Sequence, residues 1–141
     1  MDFFKLEINA ESKNEAFARQ VVAFFSLALS PTIEEIGDVK TATSEAVTNA
    51  VVHAYPNGDG KIELVGEINE AENSLTVTVK DYGCGIEDLP SALEPFYTTK
   101  PDDERSGMGF TIIKTFTDEM AVESTPQKGT TVRFKKVFKS C

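Results

Sequence analysis

Three polar side chains are spaced four residues apart in a segment that is otherwise small or apolar: Glu45, Asn49 and His53. On an α-helix, residues at this spacing lie along one face, so the three side chains are predicted to form a stripe beside the core. An amide oxygen suits a magnesium ion that keeps several waters, and a carboxylate can orient or deprotonate a nucleophile. Taken alone, the triplet is more typical of the polar edge of an amphipathic helix.

A second constellation is the segment Asp81-Tyr82-Gly83-Cys84-Gly85-Ile86, which follows a predicted strand. Its glycines allow a tight turn and close backbone approach to a ligand, and the Asp81 carboxylate is able to accept a hydrogen bond from an exocyclic amine. It is not a dinucleotide-binding fingerprint, because a third glycine and an immediately following helix are lacking. By itself, the segment is also typical of an Asx turn that ends a strand.

A third constellation, Arg105-Ser106-Gly107-Met108-Gly109-Phe110, opens a predicted helix with two glycines. Free backbone amides and the helix dipole make such an N-terminus an anion site, and Lys100 and Arg105 are the nearest cations. The Gly-Lys-Ser/Thr of a Walker A loop is absent. The alternative interpretation is a flexible hinge before a helix.

The elements that must position these residues follow from periodicity and capping. Ser12-Lys13-Asn14-Glu15 and Thr32-Ile33-Glu34-Glu35 have the spacing of capping boxes, which predicts two successive helices. A further helix is predicted to start near 107–109, and strands are predicted over 3–9, 61–68, 74–81, 120–125 and 130–138. The predicted fold class is α+β, a two-layer sandwich in which one mixed, mostly antiparallel sheet carries three helices on one face.

The apolar residues of the first two helices predict which faces point inward. In the first helix, the predicted inner stripe is Ala16, Phe17, Gln20, Val21, Phe24, Phe25 and Ala28. In the second, it is Ile36, Val39, Ala42, Ala46, Val47, Ala50 and Ala54. Residues 81–106 are rich in glycine, proline and charge, which predicts a long, weakly structured loop with a mobile lid over about 87–106.

Composition limits the classes of protein that fit. The chain has 141 residues, the size of one domain, and a formal net charge of −9. That charge argues against a protein that binds duplex DNA directly, although a small phosphate ligand remains compatible with it. No run approaches the roughly 20 apolar residues of a membrane span, and the N-terminus lacks signal-peptide features. Cys84 and Cys141 are expected to be free thiols in a reducing cytoplasm.

The order of these features along the chain resembles that of the GHKL ATP-binding superfamily. The order is the helix triplet, the Asp-Gly-Gly segment, the lid-length loop, the glycine-rich helix start and Gly129-Thr130-Thr131. Taken alone, the last of these is a simple hairpin turn. This resemblance covers about 36–134. Within the superfamily, the segments 44–50, 95–101 and 104–111 are similar to the anti-sigma F family of sporulation serine kinases, and that likeness extends over the whole chain.

The resemblance implies a role for several side chains. Glu45 would be the catalytic base, Asn49 would coordinate Mg²⁺, and Arg105 would reach the terminal phosphate of ATP. Arg19 matches the family arginine that contacts both protein partners, a sigma factor and an anti-anti-sigma factor whose serine is the substrate. A homodimer is likewise implied by the family alone.

The remaining residues implied by the resemblance form the nucleotide site. Asp81 would bind the adenine amino group with Thr130 nearby, and the segment 106–110 would hold the phosphates. The full set of nucleotide-binding residues is Asn49, His53, Asp81, Gly83, Gly85, Ile86, Thr99, Lys100, Ser106, Gly107, Met108, Gly109, Phe110 and Thr130.

Two other functions fit the same residues. A histidine-kinase catalytic domain would use the same nucleotide site, but it would need an acceptor histidine in trans, because the only histidine, His53, lies on the nucleotide stripe. A pure binding module would hold nucleotide as a structural ligand. Glu45 argues against that module, since binding alone needs no base.

Overall fold

The computed structural model describes residues 2–55, 59–94 and 109–139. Five strands are present in this part of the chain: β1 (Phe3–Asn9), β2 (Lys61–Asn69), β3 (Ser74–Asp81), β4 (Glu119–Thr125) and β5 (Gly129–Val137). Its helices are α1 (Lys13–Ser26), α2 (Ile33–Asn49), α3 (Leu89–Ala92) and α4 (Gly109–Phe116). A 3₁₀ turn, Leu27–Leu29, follows α1, and a π-helix, Ala50–Ala54, continues α2.

The strands form one sheet in the order β1-β2-β3-β5-β4, and each described pairing is antiparallel. The sheet alternates: one face is packed by residues such as Leu64, Val77 and Phe134, and the other is polar. Helices α1, α2 and α4 cover the packed face, with α2 between the other two. The predicted α+β two-layer sandwich is confirmed, but the described pairings are all antiparallel, so the expected mixed sheet is not found among them.

The core is continuous between the two layers. Its fully buried side chains on the sheet include Ile62, Leu64, Leu75 and Phe134, and Val39, Ala42 and Val47 face them from α2. The inner face predicted for α2 is thus largely confirmed. Because α2 lies at the centre of the helical layer, the polar residues on its edge are held rigidly.

The inner face predicted for α1 is mostly wrong, although Phe25 packs against the core as predicted. The structure buries Ala18, Val22 and Ser26, and it leaves Phe17 53% and Phe24 78% exposed. Residues of small volume at i, i+4 and i+8 allow α1 to pack closely against α2, whereas the predicted stripe followed the largest apolar side chains. Helix α1 therefore carries a buried face of small residues and an exposed face with two aromatic side chains.

The two predicted capping boxes have different outcomes. At α2 the box is formed: the Glu35 amide donates to Thr32 Oγ1 at 3.1 Å, and the Thr32 amide donates to Glu35 Oε1 at 2.9 Å. At α1 the helix begins as predicted, but Ser12 has helical dihedrals and makes no side-chain cap. The Glu15 carboxylate binds Arg19 and Ser44 instead.

No helix in the described ranges combines the length and apolar character needed to cross a membrane.

Candidate functional site

A buried acid, Asp81, lies at the end of β3 and is only 6% exposed. The amides of Gly83 and Thr130 both donate to its Oδ1, at 3.0 and 3.1 Å. Burial raises the pKa of the Asp81 carboxyl, and the two amide bonds oppose that rise. Among the described residues no donor binds Oδ2, so this oxygen is the one suited to accept a hydrogen bond from a ligand amine.

The loop after Asp81 packs directly on the end of the π-helix. The Cys84 amide donates to the Ala54 carbonyl at 3.0 Å, and Cys84 Sγ lies 3.3 Å from the His53 carbonyl oxygen. A Cβ at Gly83 would lie 2.1 Å from the Ala54 oxygen, so only glycine permits this approach. Gly85 has φ +74°, the left-handed region that glycine adopts freely. Gly83 thus allows the close backbone approach, and Gly85 allows the tight turn, that were predicted for this segment.

The helix that carries Glu45 and Asn49 changes its geometry immediately after Asn49. Residues Ala50–Ala54 form a π-helix, whose hydrogen bonds run to i+5 rather than i+4. The α-helical stripe predicted for Glu45, Asn49 and His53 therefore holds for the first two residues and does not continue to His53. The wider turn brings the His53 and Ala54 carbonyls to the loop at Cys84.

Asn49 lies where the end of α2 meets the start of α4. A Cβ at Gly109, the first residue of α4, would lie 2.6 Å from both Nδ2 and Oδ1 of Asn49. Glu45 is half-buried one turn earlier, and its Oε2 is buried. Phe110 is half-buried and packs on the core, which fixes the first turn of α4. The structure thus brings Asn49 and Gly109 into contact, as expected of one site.

Ser124 is a residue that sequence reasoning missed. Its hydroxyl accepts from the Ile86 amide at 2.8 Å and lies 2.8 Å from the Thr130 hydroxyl. Through Ser124, the loop after Asp81 is tied to the β4–β5 hairpin, and the Gln127 amide adds a bond to the Cys84 carbonyl at 2.7 Å. A serine in a strand of alternating polarity gives no signal of this contact in the sequence.

Arg19, the predicted partner-binding residue, lies on α1. Its Nη1 donates to Glu15 Oε1 and Oε2 at 3.1 and 2.7 Å. The Ser44 hydroxyl, on α2, donates to the same Glu15 Oε2 at 3.1 Å. Glu15 therefore fixes the guanidinium relative to the residue that precedes Glu45.

Several predicted site residues lie outside the described residues: Thr99, Lys100, Arg105, Ser106, Gly107 and Met108. Within the described part of the predicted lid, Leu89–Ala92 form the one-turn helix α3, which the prediction of a weakly structured loop missed. The Asp88 side chain caps this turn: its Oδ1 accepts from the Ser91 amide at 3.3 Å, and its Oδ2 accepts from the Ser91 hydroxyl at 2.7 Å.

A magnesium ion fits the donors near Asn49 only as a partner of phosphate. Within residues 2–55, 59–94 and 109–139, no group of three or more His, Cys, Asp or Glu side chains could hold a metal ion. Mg²⁺ usually keeps several waters and takes one or two protein ligands besides substrate phosphates. The Asn49 amide oxygen at the end of α2 matches that requirement as a single protein ligand.

The histidine kinase-like ATPase domain family matches residues 8–136. The anti-sigma F factor of Clostridium botulinum (strain Eklund 17B) is 55% identical over 134 residues, which cover 94% of this chain and 92% of that protein. The anti-sigma F factor of Caldanaerobacter subterraneus is 52% identical over 135 residues, or 96% and 93% of the two chains. The chain belongs to the anti-sigma F factor family.

Two solved structures share the fold of this anti-sigma F family member. The RsbU and RsbW domains of a Mycobacterium tuberculosis protein align with a TM-score of 0.71 at 16% identity, covering 98% of this chain and 33% of that one. The catalytic domain of the histidine kinase ThkA aligns with a TM-score of 0.59 at 18% identity, covering 98% and 97%. These two structures show the fold, and the family model that matches residues 8–136 confirms the predicted membership of the GHKL-type, histidine kinase-like ATPases.

Proposed function

We propose that this anti-sigma F family member is a cytoplasmic ATP-dependent serine kinase that binds a sporulation sigma factor of the sigma F type. Its substrate would be a serine of a small anti-anti-sigma partner. The observation that carries the proposal is the Asp81 carboxylate, buried at the end of β3 with two backbone amides on one oxygen. That arrangement leaves Oδ2 for the adenine amino group in an ATPase fold.

The nucleotide would be bound between Asp81 and the start of α4. Thr130 supports Asp81 through its amide, and the buried Thr130 side chain lies at the same end of the sheet. Ser106 to Phe110 would hold the phosphates through their amides, helped by the helix dipole. His53, Gly83, Gly85, Ile86, Thr99 and Lys100 complete the proposed set.

Phosphotransfer would rest on positioning and charge. Glu45 would orient the substrate serine hydroxyl and accept its proton, and Arg105 would stabilise charge on the transferred phosphate. Bound with ATP, Mg²⁺ neutralises phosphate charge, and Asn49 would be its protein ligand. The half-buried carboxylate of Glu45 on the rigid helix α2 suits a base that must keep its position.

Arg19 is the proposed contact to the protein partners. Its guanidinium is held by Glu15, so little side-chain freedom is lost when a partner carboxylate binds. A homodimer is proposed as well, because α1 exposes Phe17 and Phe24 and the edge strand β1 exposes Phe3. After transfer, the phosphoserine would carry up to about two negative charges. Because this chain has a net charge of −9, repulsion would favour release of the phosphorylated partner.

The deciding experiment is transfer from γ-labelled Mg-ATP to proteins in a cytosolic extract of the source organism. An acid-stable labelled band on a small protein, lost with Glu45→Ala, supports the serine kinase. An acid-labile band would favour a histidine kinase that acts in trans. If Glu45→Ala binds ATP and the sigma factor normally and no band forms even with the unaltered protein, the chain is a pure binding module.

A further inference from the structure

Tyr55 lies where the π-helix, β2 and the loop after β3 meet. It follows Ala54 directly, at the end of the helix that carries Asn49. Its hydroxyl donates to the Lys61 carbonyl at 2.6 Å and accepts from the Tyr82 amide at 2.7 Å. Lys61 opens β2, and Tyr82 is the first residue after β3. One hydroxyl therefore bridges the main chains of two strands.

The register of the sheet shows which bond this hydroxyl replaces. Strands β2 and β3 are paired up to Ile62 and Asp81, so the next pair in a continued ladder would be Lys61 and Tyr82. In that pair the Tyr82 amide would bond directly to the Lys61 carbonyl. Both groups instead bind the Tyr55 hydroxyl, which is inserted between them. The ladder is thus held open immediately after Asp81.

The Tyr55 ring is itself fixed in place. It is half-buried and packs against the core, and a Cβ at Gly60 would lie 2.2 Å from the ring atom Cε1. The Gly60 carbonyl accepts from the Ala10 amide at 2.9 Å, so the backbone under the ring is anchored too. The hydroxyl therefore has a defined position relative to both strands.

Opening the ladder turns the chain after Asp81 away from β2 and toward the π-helix. There the Gly83 backbone meets the Ala54 carbonyl, and the Gly83 amide returns to Asp81 Oδ1. We propose that Tyr55 is a positioning residue of the nucleotide site, whose hydroxyl sets the Asp81 carboxylate and so the selectivity for adenine. This inference rests on the proposed nucleotide site.

The test compares the affinities of Tyr55→Phe and the unaltered chain for ATP and ITP, which differ in the 6-amino group of the base. The variant keeps the ring and its core contacts and removes only the bridging hydroxyl. We expect its ATP affinity to fall about tenfold, the effect of one misplaced hydrogen bond, and its ITP affinity to stay unchanged. A purely structural role would lower the two affinities equally.

Two further variants sharpen the test. Tyr82→Phe makes the same chemical change one residue after Asp81, but the bond that it removes is the one to the Glu63 side chain at 2.6 Å. The ratio of the ATP and ITP affinities should therefore not change. With Asp81→Asn present, Tyr55→Phe should cost no further ATP affinity, because the group that it positions is already altered. If Tyr55→Phe folds poorly, Gly60→Ala displaces the ring instead and should lower the ratio similarly.

The possible failures are distinct. An unaltered chain that binds no ATP would overturn the nucleotide site itself. An unaltered chain that binds ATP, with a Tyr55→Phe variant of equal ATP/ITP ratio, would overturn only the role of Tyr55. An equal further loss in the Asp81→Asn background would also overturn it.

Discussion

The side-chain amide of Asn49 lies against the first residue of α4, Gly109, so closely that a Cβ there would be 2.6 Å from Nδ2 and from Oδ1. This contact places the proposed magnesium ligand at the N-terminus of the helix that would hold the phosphates. Any side chain at 109 must move either Asn49 or α4.

Gly109→Ala tests that contact. We expect phosphotransfer and ATP affinity to fall at least about tenfold, because the amide of Asn49 would be displaced from its ligand position. Titration of the variant with Mg-ATP by calorimetry measures the loss.

Gly37→Ala is the matched control, since Gly37 lies in α2 and a Cβ there meets nothing within 4 Å. It should bind Mg-ATP normally and raise the free energy of unfolding by about 0.5–1 kcal/mol. Equal ATP affinity in the two variants would contradict the importance of the Asn49–Gly109 contact.

Asp81→Asn separates ligand binding from folding. The Asn Oδ1 still accepts from the Gly83 and Thr130 amides, but an NH₂ group replaces Oδ2, so ATP affinity should fall about ten- to a hundredfold. Thermal stability at pH 7 should rise, because a buried charge is removed.

The stability gain of Asp81→Asn should depend on pH. The pKa of the Asp81 carboxyl is raised in the folded state, so its ionisation destabilises the unaltered protein fully above that pKa and not at all below the ordinary value of 3.8. The difference in Tm between the two proteins should therefore shrink as the pH falls through the raised pKa toward 3.8. Thermal melts across this range measure it. Asp59→Asn, at an exposed acid, is the control, and a gain of the same size there would refute the explanation.

Glu35 is a link between the start of α2 and the C-terminal segment. Burial acts to raise the pKa of the Glu35 carboxyl, but bonds from the Lys139 and Thr32 amides outweigh it and hold the pKa below 4.5. Its contribution to stability is thus present above pH 4.5 and is lost as the pH falls through the lowered pKa. Glu35→Gln should cost about 1 kcal/mol at pH 7 by urea unfolding.

Glu34→Gln is the control for Glu35, because it removes the same charge from the same first turn at an exposed position. Comparing the two variants separates the contribution of the Glu35 hydrogen bonds to stability from that of negative charge at the helix N-terminus. Equal destabilisation by the two variants would show that only charge near the N-terminus of α2 matters.

Arg19→Ala should lower the affinity for the sigma factor by at least about tenfold and leave ATP affinity unchanged. Only a small loss of stability is expected, since an i,i+4 ion pair contributes about 0.3–0.5 kcal/mol. Surface-immobilised sigma factor provides the measurement. Lys13→Ala, which removes another α1 cation with an ion pair to Glu11, should bind normally. Normal binding by Arg19→Ala would exclude this arginine from the interface.

Phe24→Gln tests the exposed aromatic face of α1 as the dimer contact. Phe24 is 78% exposed, so the substitution costs little in the monomer but removes apolar area from a dimer. Sedimentation equilibrium should show a dimer for the unaltered chain and a monomer for the variant. Ile33→Gln, at a side chain 90% exposed on α2, should remain dimeric. A dimeric Phe24→Gln would place the contact elsewhere.

Sequence patterns determined the parts of this protein that depend on local chemistry. Alternation over residues 74–81 indicated β3, the Thr32–Glu35 spacing indicated the start of α2, and the glycines after Asp81 indicated a tight turn. The segments 44–50, 95–101 and 104–111 carried the resemblance to the anti-sigma F family, which the relatives confirm. Such signals are readable because each arises from residues close in sequence.

Tertiary structure alone decided the rest. Helix α1 turned its small side chains inward because close packing on α2 outweighed the size of Phe17 and Phe24, which sequence periodicity ranks first. The Tyr55 hydroxyl accepts from the Tyr82 amide, and the Ser124 hydroxyl accepts from the Ile86 amide. Each pair is far apart in the chain and is brought together only by the fold. Contacts of this kind depend on the relative placement of whole elements, which no local pattern of residues records.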